Sequence, residues 1–503
     1  MDAEKRAESC GARFFVTDEP FGAKADGMTN DREAIQRAVD AAWCEGGGEV
    51  VLPGGKTCLT GNIVLRSGVT LFFEDGAVLL QSPDPGDYVK PSADGALVPY
   101  RPEYGYNWSS EIRWSHLWYR NYPFLYAPEG SHDFAVRGRG TIRMMEVGEP
   151  DKLLRVCPIG FYRCRSWEIA DVRITNYHSY AMMPFTCEHG IVRNVTIDGA
   201  NHGNGDGICL MNCRHIRVTG CTMMTGDDSI YIFSSCRDPR KSEWWSSDEP
   251  EPSVDIEIDH NDLRSDHCKA FGMILWGLNC EDQEKVEVRH VRVHDNHIET
   301  MGNWLYNPYT DKAGFPPVTD VRFENNIIDG IEANFFETQI SDMNVFRSMR
   351  QMKNGDFSDG RCFWSATEGS AGVCRDPEEP YGYVGASGTD RSAMYQGLWL
   401  EEGVPYLFRA EVRGEALLFV RDLDTGGLIA RHPFDYPAWE DVSLSFRVPR
   451  SGNYHVGLES ENGVYAAVKN AAFGGSVDAE GCGSVIFDRG KIIYQYNDDL
   501  FRR

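Results

Sequence analysis

Long apolar runs are missing from this chain. Nowhere do about 18 consecutive residues go uncharged, so no membrane-spanning helix is expected. The first residues, Met1 to Arg13, are polar and mixed in charge and lack the basic start, apolar centre and small-residue cleavage site of a secretory leader. The expectation is therefore a soluble chain, cytoplasmic unless a leader was removed. Basic residues are in deficit, 50 Lys and Arg against 76 Asp and Glu, for a formal charge of −26. That excludes nucleic acid and anionic membrane surfaces as partners, and it equally disfavours long-range capture of an acidic polymer. Paired cysteine is missing too: the 15 cysteines are odd in number and scattered. Several, such as Cys209, Cys213 and Cys221, sit on apolar strand patterns, which predicts buried thiols instead of a disulfide framework.

Helical periodicity is scarce. Its clear instance runs from Asp31 to Cys44, where Ile35, Ala38, Val39, Ala42 and Trp43 recur at helical spacing. Asn30 with Glu33 resembles a capping box, and Gly46-Gly-Gly stops the helix. Short strands follow at Glu49 to Pro53, Asn62 to Ser67 and Val69 to Glu74, as if the helix caps a β stack. From about 160 to 330 a unit repeats: apolar residues at alternate positions, then Asn, Asp or Gly. It begins at Val172, Val195, Ile216, Ile256, Val291 and Val321, at intervals of 23, 21, 40, 35 and 30 residues. Such a period with so little helix predicts a parallel β-helix, whose coils bury their apolar faces only by stacking. The 503 residues, 42% hydrophobic, are enough for roughly two to four domains with real cores.

Two motifs carry candidate chemistry, Asn204-Gly-Asp-Gly and Gly226-Asp-Asp. In successive coils, Asp206 and Asp227 or Asp228 would lie roughly 4.8 Å apart before side-chain length is added. Carboxylates that close cannot all ionise easily, so one should keep a proton. A proton donor beside an ionised carboxylate is what glycosidic hydrolysis needs. Gly, Asn and Asp are equally the residues of ordinary turns. The stretch Tyr100 to Tyr122, with Tyr104, Tyr106, Trp108, Trp114, Trp118 and Tyr119, offers rings that either stack on sugars or pin a loop.

Asp26-Gly with the helix after it, Gly46-Gly-Gly-Glu-Val-Val-Leu-Pro, Gly138-Arg-Gly-Thr-Ile, Asn204-Gly-Asp-Gly and Gly226-Asp-Asp, in this order, resemble the polygalacturonase-type glycoside hydrolases, family 28, over roughly residues 20 to 335. The resemblance implies a right-handed parallel β-helix and inverting hydrolysis without metal or other cofactor. It implies Asp227 as general acid, with Asp206 and Asp228 holding and activating water. The chain departs from the family twice. Where Gly-His-Gly is expected it reads Ser265-Asp-His-Cys-Lys-Ala-Phe-Gly, which leaves His267 or Phe271 in the histidine's place. Where an Arg-x-Lys should grip a sugar carboxylate, near Met301, there is no basic residue; Asn303, Trp304 and Tyr306 suit a neutral sugar. Asn204, His267, Lys269, Trp304 and Tyr306 are the substrate-binding candidates, with Trp244 and Trp245 on a segment, Arg237 to Ser253, that would wall one end of the groove and favour exo action. α-Glucan hydrolysis on the same scaffold and a non-catalytic, carbohydrate-binding β-helix stay open. A lyase would need a Ca²⁺ cage or a strong base, and no convincing basic pair stands by the Asp cluster.

Near 340 the composition shifts. Asn354-Gly-Asp-Phe, Trp364 and the period-two segments at Tyr406 to Val412, Ala416 to Val420, Val442 to Val448 and Tyr454 to Leu458 predict an antiparallel β-sandwich. It resembles the jelly-roll carbohydrate-binding modules, and a purely packing or oligomerising sandwich fits as well. The expected architecture is all-β: a β-helix over 15–343 with an N-terminal capping helix, a sandwich over 344–475, and a tail over 476–503 that returns to the β-helix. The expected partner is an oligosaccharide or polysaccharide; oligomeric state stays open.

Overall fold

The computed structural model describes residues 11–91, 97–99, 123–145, 156–177, 180–200, 205–235, 252–265, 270–276, 286–299, 306–309, 318–329, 345–347 and, short gaps aside, 352–475. The chain divides into two compact units, Met1–Ile327 with Phe336–Asn344, and Ile328–Phe335 with Val345–Arg503. Among the described residues no helix is long and apolar enough to cross a membrane.

The first unit is a parallel β-helix. Three parallel sheets form its faces, and neighbours within a sheet are successive coils: among the described residues of this unit the first has ten strands, the second nine up to His297–Glu299, and the third eight. The cause is the alternation: in Arg214–Thr219, Ile216 and Val218 are buried and Arg217 between them is exposed. Stacking carries the inward side chains into columns. Ile169, Val192, Val218, Ile258, Val293 and Phe323 pair in sequence down the first face, all essentially inaccessible to water. Burying each such side chain is worth about 1.5–3 kcal/mol, and no coil gains this alone.

The register corrects one expectation. Val172 and Val195 lead second-face strands, Arg173–Thr175 and Thr196–Asp198. Ile216, Ile256, Val291 and Val321 lie in first-face strands. Ile216 pairs with Gly190 on the preceding coil, so the 21-residue interval is a slip between faces. Both faces use the same apolar alternation closed by Asn, Asp or Gly, and only the inter-strand register tells them apart.

The corners explain the turn residues. After each of the last six first-face strands one residue adopts a left-handed conformation: Asp171, Asn194, Gly220, His260, Asp295 and Asn325, with φ between 53° and 65°. Such φ values suit Gly, Asn and Asp best. One position on, Asn261, Asn296 and Asn326 stack. The Oδ1 of Asn261 accepts from Cys221 N–H, that of Asn296 from Asn261 N–H, and that of Asn326 from Asn296 N–H, at 2.8–3.1 Å. Their amides donate to Val218, Ile258 and Val293 carbonyls. At the corner between the third and first faces the same task falls to thiols. Cys164 and Cys213 Sγ–H groups donate to carbonyls at 3.3–3.7 Å, and Ser253 ends the column by accepting from Cys213 N–H. The expectation of buried free thiols holds for Cys209, Cys213 and Cys221.

One corner gives a pH test. Burial alone would raise the Asp259 carboxyl, but hydrogen bonds from Arg217, His260 and Thr219 outweigh it and hold it at about 2. Unfolded, it titrates near the ordinary value of roughly 3.9. The native state thus prefers the ionised form, and this stabilisation is complete above about pH 4 and disappears as pH falls towards 2. Asp259→Asn is expected to cost about 2 kcal/mol in urea denaturation at pH 7. The gap between parent and variant should close by pH 2; a constant gap would refute the assignment.

The helix is Arg32–Cys44, with Ala34, Ile35, Ala38, Val39 and Ala42 buried. Two expectations about it are corrected. Trp43 is half-exposed, beneath the Arg66 guanidinium at 5.3 Å. The N-cap is Asp31, without a side-chain capping bond. Its carboxylate instead accepts from Lys24 and Ala25 N–H at 2.7 and 2.9 Å, and Asn30 Oδ1 accepts from Arg32 N–H at 3.0 Å.

The second unit is antiparallel and folds around its own core, with Met394, Leu398, Phe408, Leu418, Tyr454 and Leu458 at the centre. The segments read as separate strands at Tyr406 and Ala416 are one strand, Pro405–Asp422. Its first half pairs with Ala466–Gly475 and its second with Gly452–Glu461. The switch falls at Gly414, at φ 87°, where a Cβ would stand 2.4 Å from the Tyr465 carbonyl oxygen. A strand shared by two layers is one way a sandwich makes its corner. The Asn354-Gly-Asp-Phe opening is an anchor: Trp364 Nε1 donates to the Asn354 carbonyl at 2.9 Å and stacks on Phe357. Arg413 lies over Tyr381 and Trp439, at 5.2 and 4.8 Å, and Lys469 over Trp439 at 4.6 Å. The tail from 476 and the aromatics of 100–122 lie outside the described residues.

Candidate active site

The third face brings the two Asp motifs together. Ile208–Met211 pairs with Ile230–Ser235, Ile208 opposite Ile230. Continuing that register towards the N terminus sets Asp206 against Asp228, and Gly207 N–H donates to the Asp228 carbonyl at 2.8 Å. The matched pair is therefore Asp206 and Asp228. Both are nearly withdrawn from water, 5% exposed, whereas Asp227 is partly exposed.

Backbone polar groups tie the turns to each other. The Gly205 carbonyl accepts from Gly226 N–H at 3.0 Å, Asp227 N–H at 3.3 Å and the Tyr177 hydroxyl at 3.0 Å. The Asp227 carbonyl accepts from Thr225 and Ser265 hydroxyls, each at 2.7 Å, and Ser229 Oγ donates to the Arg264 carbonyl at 2.6 Å. Three successive coils are cross-linked under the carboxylates. Gly207 is required by the closeness of this stacking, since a Cβ there would stand 2.2 Å from the Ser229 carbonyl oxygen.

Beyond the carboxylates the strands are apolar on both sides. Ile208, Leu210, Ile230 and Ile232 are buried. On the alternate parity Met183, Cys209, Tyr231, Phe185, Met211 and Phe233 form a second buried cluster with Cys157 and Tyr180. Cys209, Tyr180 and Tyr231 belong to the site and escaped the sequence reading. The signal was present: both parities of Ile208–Met211 and Ile230–Phe233 are apolar or aromatic, although one should face solvent. Burial first, then the Asp206 charge, pushes both the Tyr180 phenol and the Cys209 thiol well up. Burial, then Cys209, does so for Tyr231. All three stay protonated.

Phe271, the alternative to His267 at the family histidine's place, pairs with Ile230 and packs edge-on against Phe323 at 5.5 Å in the core. Tyr306 begins the strand Tyr306–Tyr309 and pairs with Met273, its side chain outside the described residues. Asn204, Trp244, Trp245, His267, Lys269 and Trp304 also lie outside them. Among the described residues one group has metal-ligand spacing: Glu257, Asp259 and His294, with donor atoms within 4.8 Å of one another. Its donors are engaged. Arg217 and Thr219 donate to Asp259 at 2.8–2.9 Å, and the His294 ring bonds to Glu257 at 3.0 Å and Asp295 at 2.8 Å. Arg217 supplies the cation that a metal ion would otherwise bring.

Residues 148–340 match the family model described as glycosyl hydrolases family 28, so the resemblance carried by the Asp motifs holds. A probable polygalacturonase of Vitis vinifera is 27% identical over 42% of this chain and 43% of its own length. An exo-poly-alpha-D-galacturonosidase of Dickeya chrysanthemi is 26% identical over 49% and 45%. This chain thus spans less than half the length of these curated relatives. Among solved structures, the family 28 exopolygalacturonase of Yersinia enterocolitica aligns over 67% of this chain and 66% of its own, at 16% identity and a TM-score of 0.48.

Proposed function

With residues 148–340 carrying the family 28 pattern, we propose that the chain is an inverting glycoside hydrolase acting on a plant-type or microbial oligosaccharide or polysaccharide. The observation that carries this is the register of Asp206 with Asp228, with Asp227 beside them and more open to solvent. Asp227 donates its proton to the leaving glycosidic oxygen. Water attacks the anomeric carbon from the opposite side, and its proton passes to the Asp206 and Asp228 carboxylates. An oxocarbenium-like transition state needs both events together.

The substrate we propose is a neutral or mixed glycoside, attacked from a chain end. A galacturonide brings a carboxylate, and leaving that charge unpaired at a half-buried subsite costs several kcal/mol. The segment from Met301 to Asn307 offers Asn303, Trp304, Tyr306 and Asn307 and no cation. The names of the Vitis and Dickeya relatives weigh towards galacturonide, and the Dickeya name towards exo action. Reducing-sugar release across pectic, glucan and plant oligosaccharides tests the reading, and release from none would favour a binding protein. Tri-galacturonate is expected to be hydrolysed weakly or not at all. Brisk hydrolysis that disappears in Lys269→Ala would show that Lys269 supplies the cation and would overturn the neutral-substrate reading.

A further inference from the structure

Buried polar side chains cluster beside Asp206 on the third face. The Cys209 Sγ lies 4.0 Å from Asp206 Oδ2. Tyr231 occupies the position paired with Cys209 on the next coil, on the same buried side of the face. The Tyr180 and Tyr231 rings meet edge-on, 6.4 Å between centroids at 70°, which restrains both rings. Tyr180 stands one coil before Asp206, since Ala181 N–H donates to the Asp206 carbonyl at 2.9 Å. Tyr180, Cys209, Tyr231 and Asp206 are all under a tenth exposed.

Packing alone does not call for these residues. Phenylalanine would fill the same cluster without the cost of burying a hydroxyl, which is recovered only through a hydrogen bond. Phe185 and Phe233 do so in the adjoining row.

We propose that Tyr231, Cys209 and Tyr180 are positioning residues for Asp206: a buried series of proton donors that fixes its carboxylate and keeps it ionised to accept the proton of the attacking water. This rests on the hydrolase reading. Among the described residues, the titratable groups near Asp206 are Asp227 and Asp228, whose charges favour its protonation, and Cys209, Tyr180 and Tyr231, which oppose it. The donors stay protonated throughout; the proton taken from water ends on the carboxylate. Losing a donor therefore raises the pH at which Asp206 ionises.

The test is Tyr231→Phe in the full chain, with Met183→Leu as a packing control from the same cluster. On a substrate that the parent hydrolyses, Tyr231→Phe is expected to lower kcat roughly 10- to 100-fold with KM little changed. The acid limb of its pH–rate profile should move to higher pH, while Met183→Leu leaves that limb in place. A readout independent of turnover is the ¹³C carboxyl titration of Asp206, assigned with Asp206→Asn. An unmoved Asp206 midpoint in Tyr231→Phe would overturn the proposal even if the parent is an active hydrolase. A raised midpoint in a parent that hydrolyses nothing would support the positioning and sink the hydrolase reading.

Discussion

Asp227→Asn is expected to lower turnover by at least ~10²-fold, the usual scale of a positioned acid or base, with the circular dichroism spectrum unchanged. Asn fills the same volume but has no proton to give the leaving oxygen. Asp227 is partly exposed and held through its backbone carbonyl by Thr225 and Ser265, so replacing its side chain leaves that support in place. Asp206→Asn and Asp228→Asn should fall as far for a different reason, and leaving-group chemistry separates the roles. A glycoside with an acidic phenol as leaving group needs little protonation and should recover much of the rate in Asp227→Asn. It should recover little in Asp206→Asn or Asp228→Asn, where activation of water is what is lost. Most of the activity surviving in Asp227→Asn on an unactivated substrate would end the assignment of Asp227 as acid.

Gly207→Ala should be nearly as damaging, although it removes no functional group. The added methyl would sit 2.2 Å from the Ser229 carbonyl oxygen, on the backbone that follows Asp228. Relief requires the two coils to part by about 1 Å, and a shift of that size at a reacting group costs on the order of 10²-fold. Gly55→Ala is the control, because a Cβ there meets nothing within 4 Å. Its φ of 65° predicts a small loss of stability and no loss of turnover. A fully active Gly207→Ala enzyme would show that the close stacking of Asp206 and Asp228 is not needed.

Much of this was legible in the sequence because a β-helix is nearly one-dimensional. The alternation in Arg214–Thr219 or Ser253–Asp259 dictates which side chains turn inward, and the Asn, Asp or Gly that follows dictates a corner. Both are local rules acting over a few residues. The Asp motifs were legible for the same reason, being corners directly before short apolar strands. The Pro405–Asp422 strand was not legible as one element, since the bend at Gly414 looks in sequence like a turn.

The sequence by itself therefore determined the coil, its corners and the motifs that carry the three candidate carboxylates. The tertiary structure decided which carboxylates meet. Register between coils depends on hydrogen bonds between residues tens of positions apart, and these pair Asp206 with Asp228 and keep Phe271 in the core. It also recruited Cys209, Tyr180 and Tyr231. Each reads in sequence as one more apolar or aromatic residue on a strand, and only stacking three coils gathers them beside Asp206.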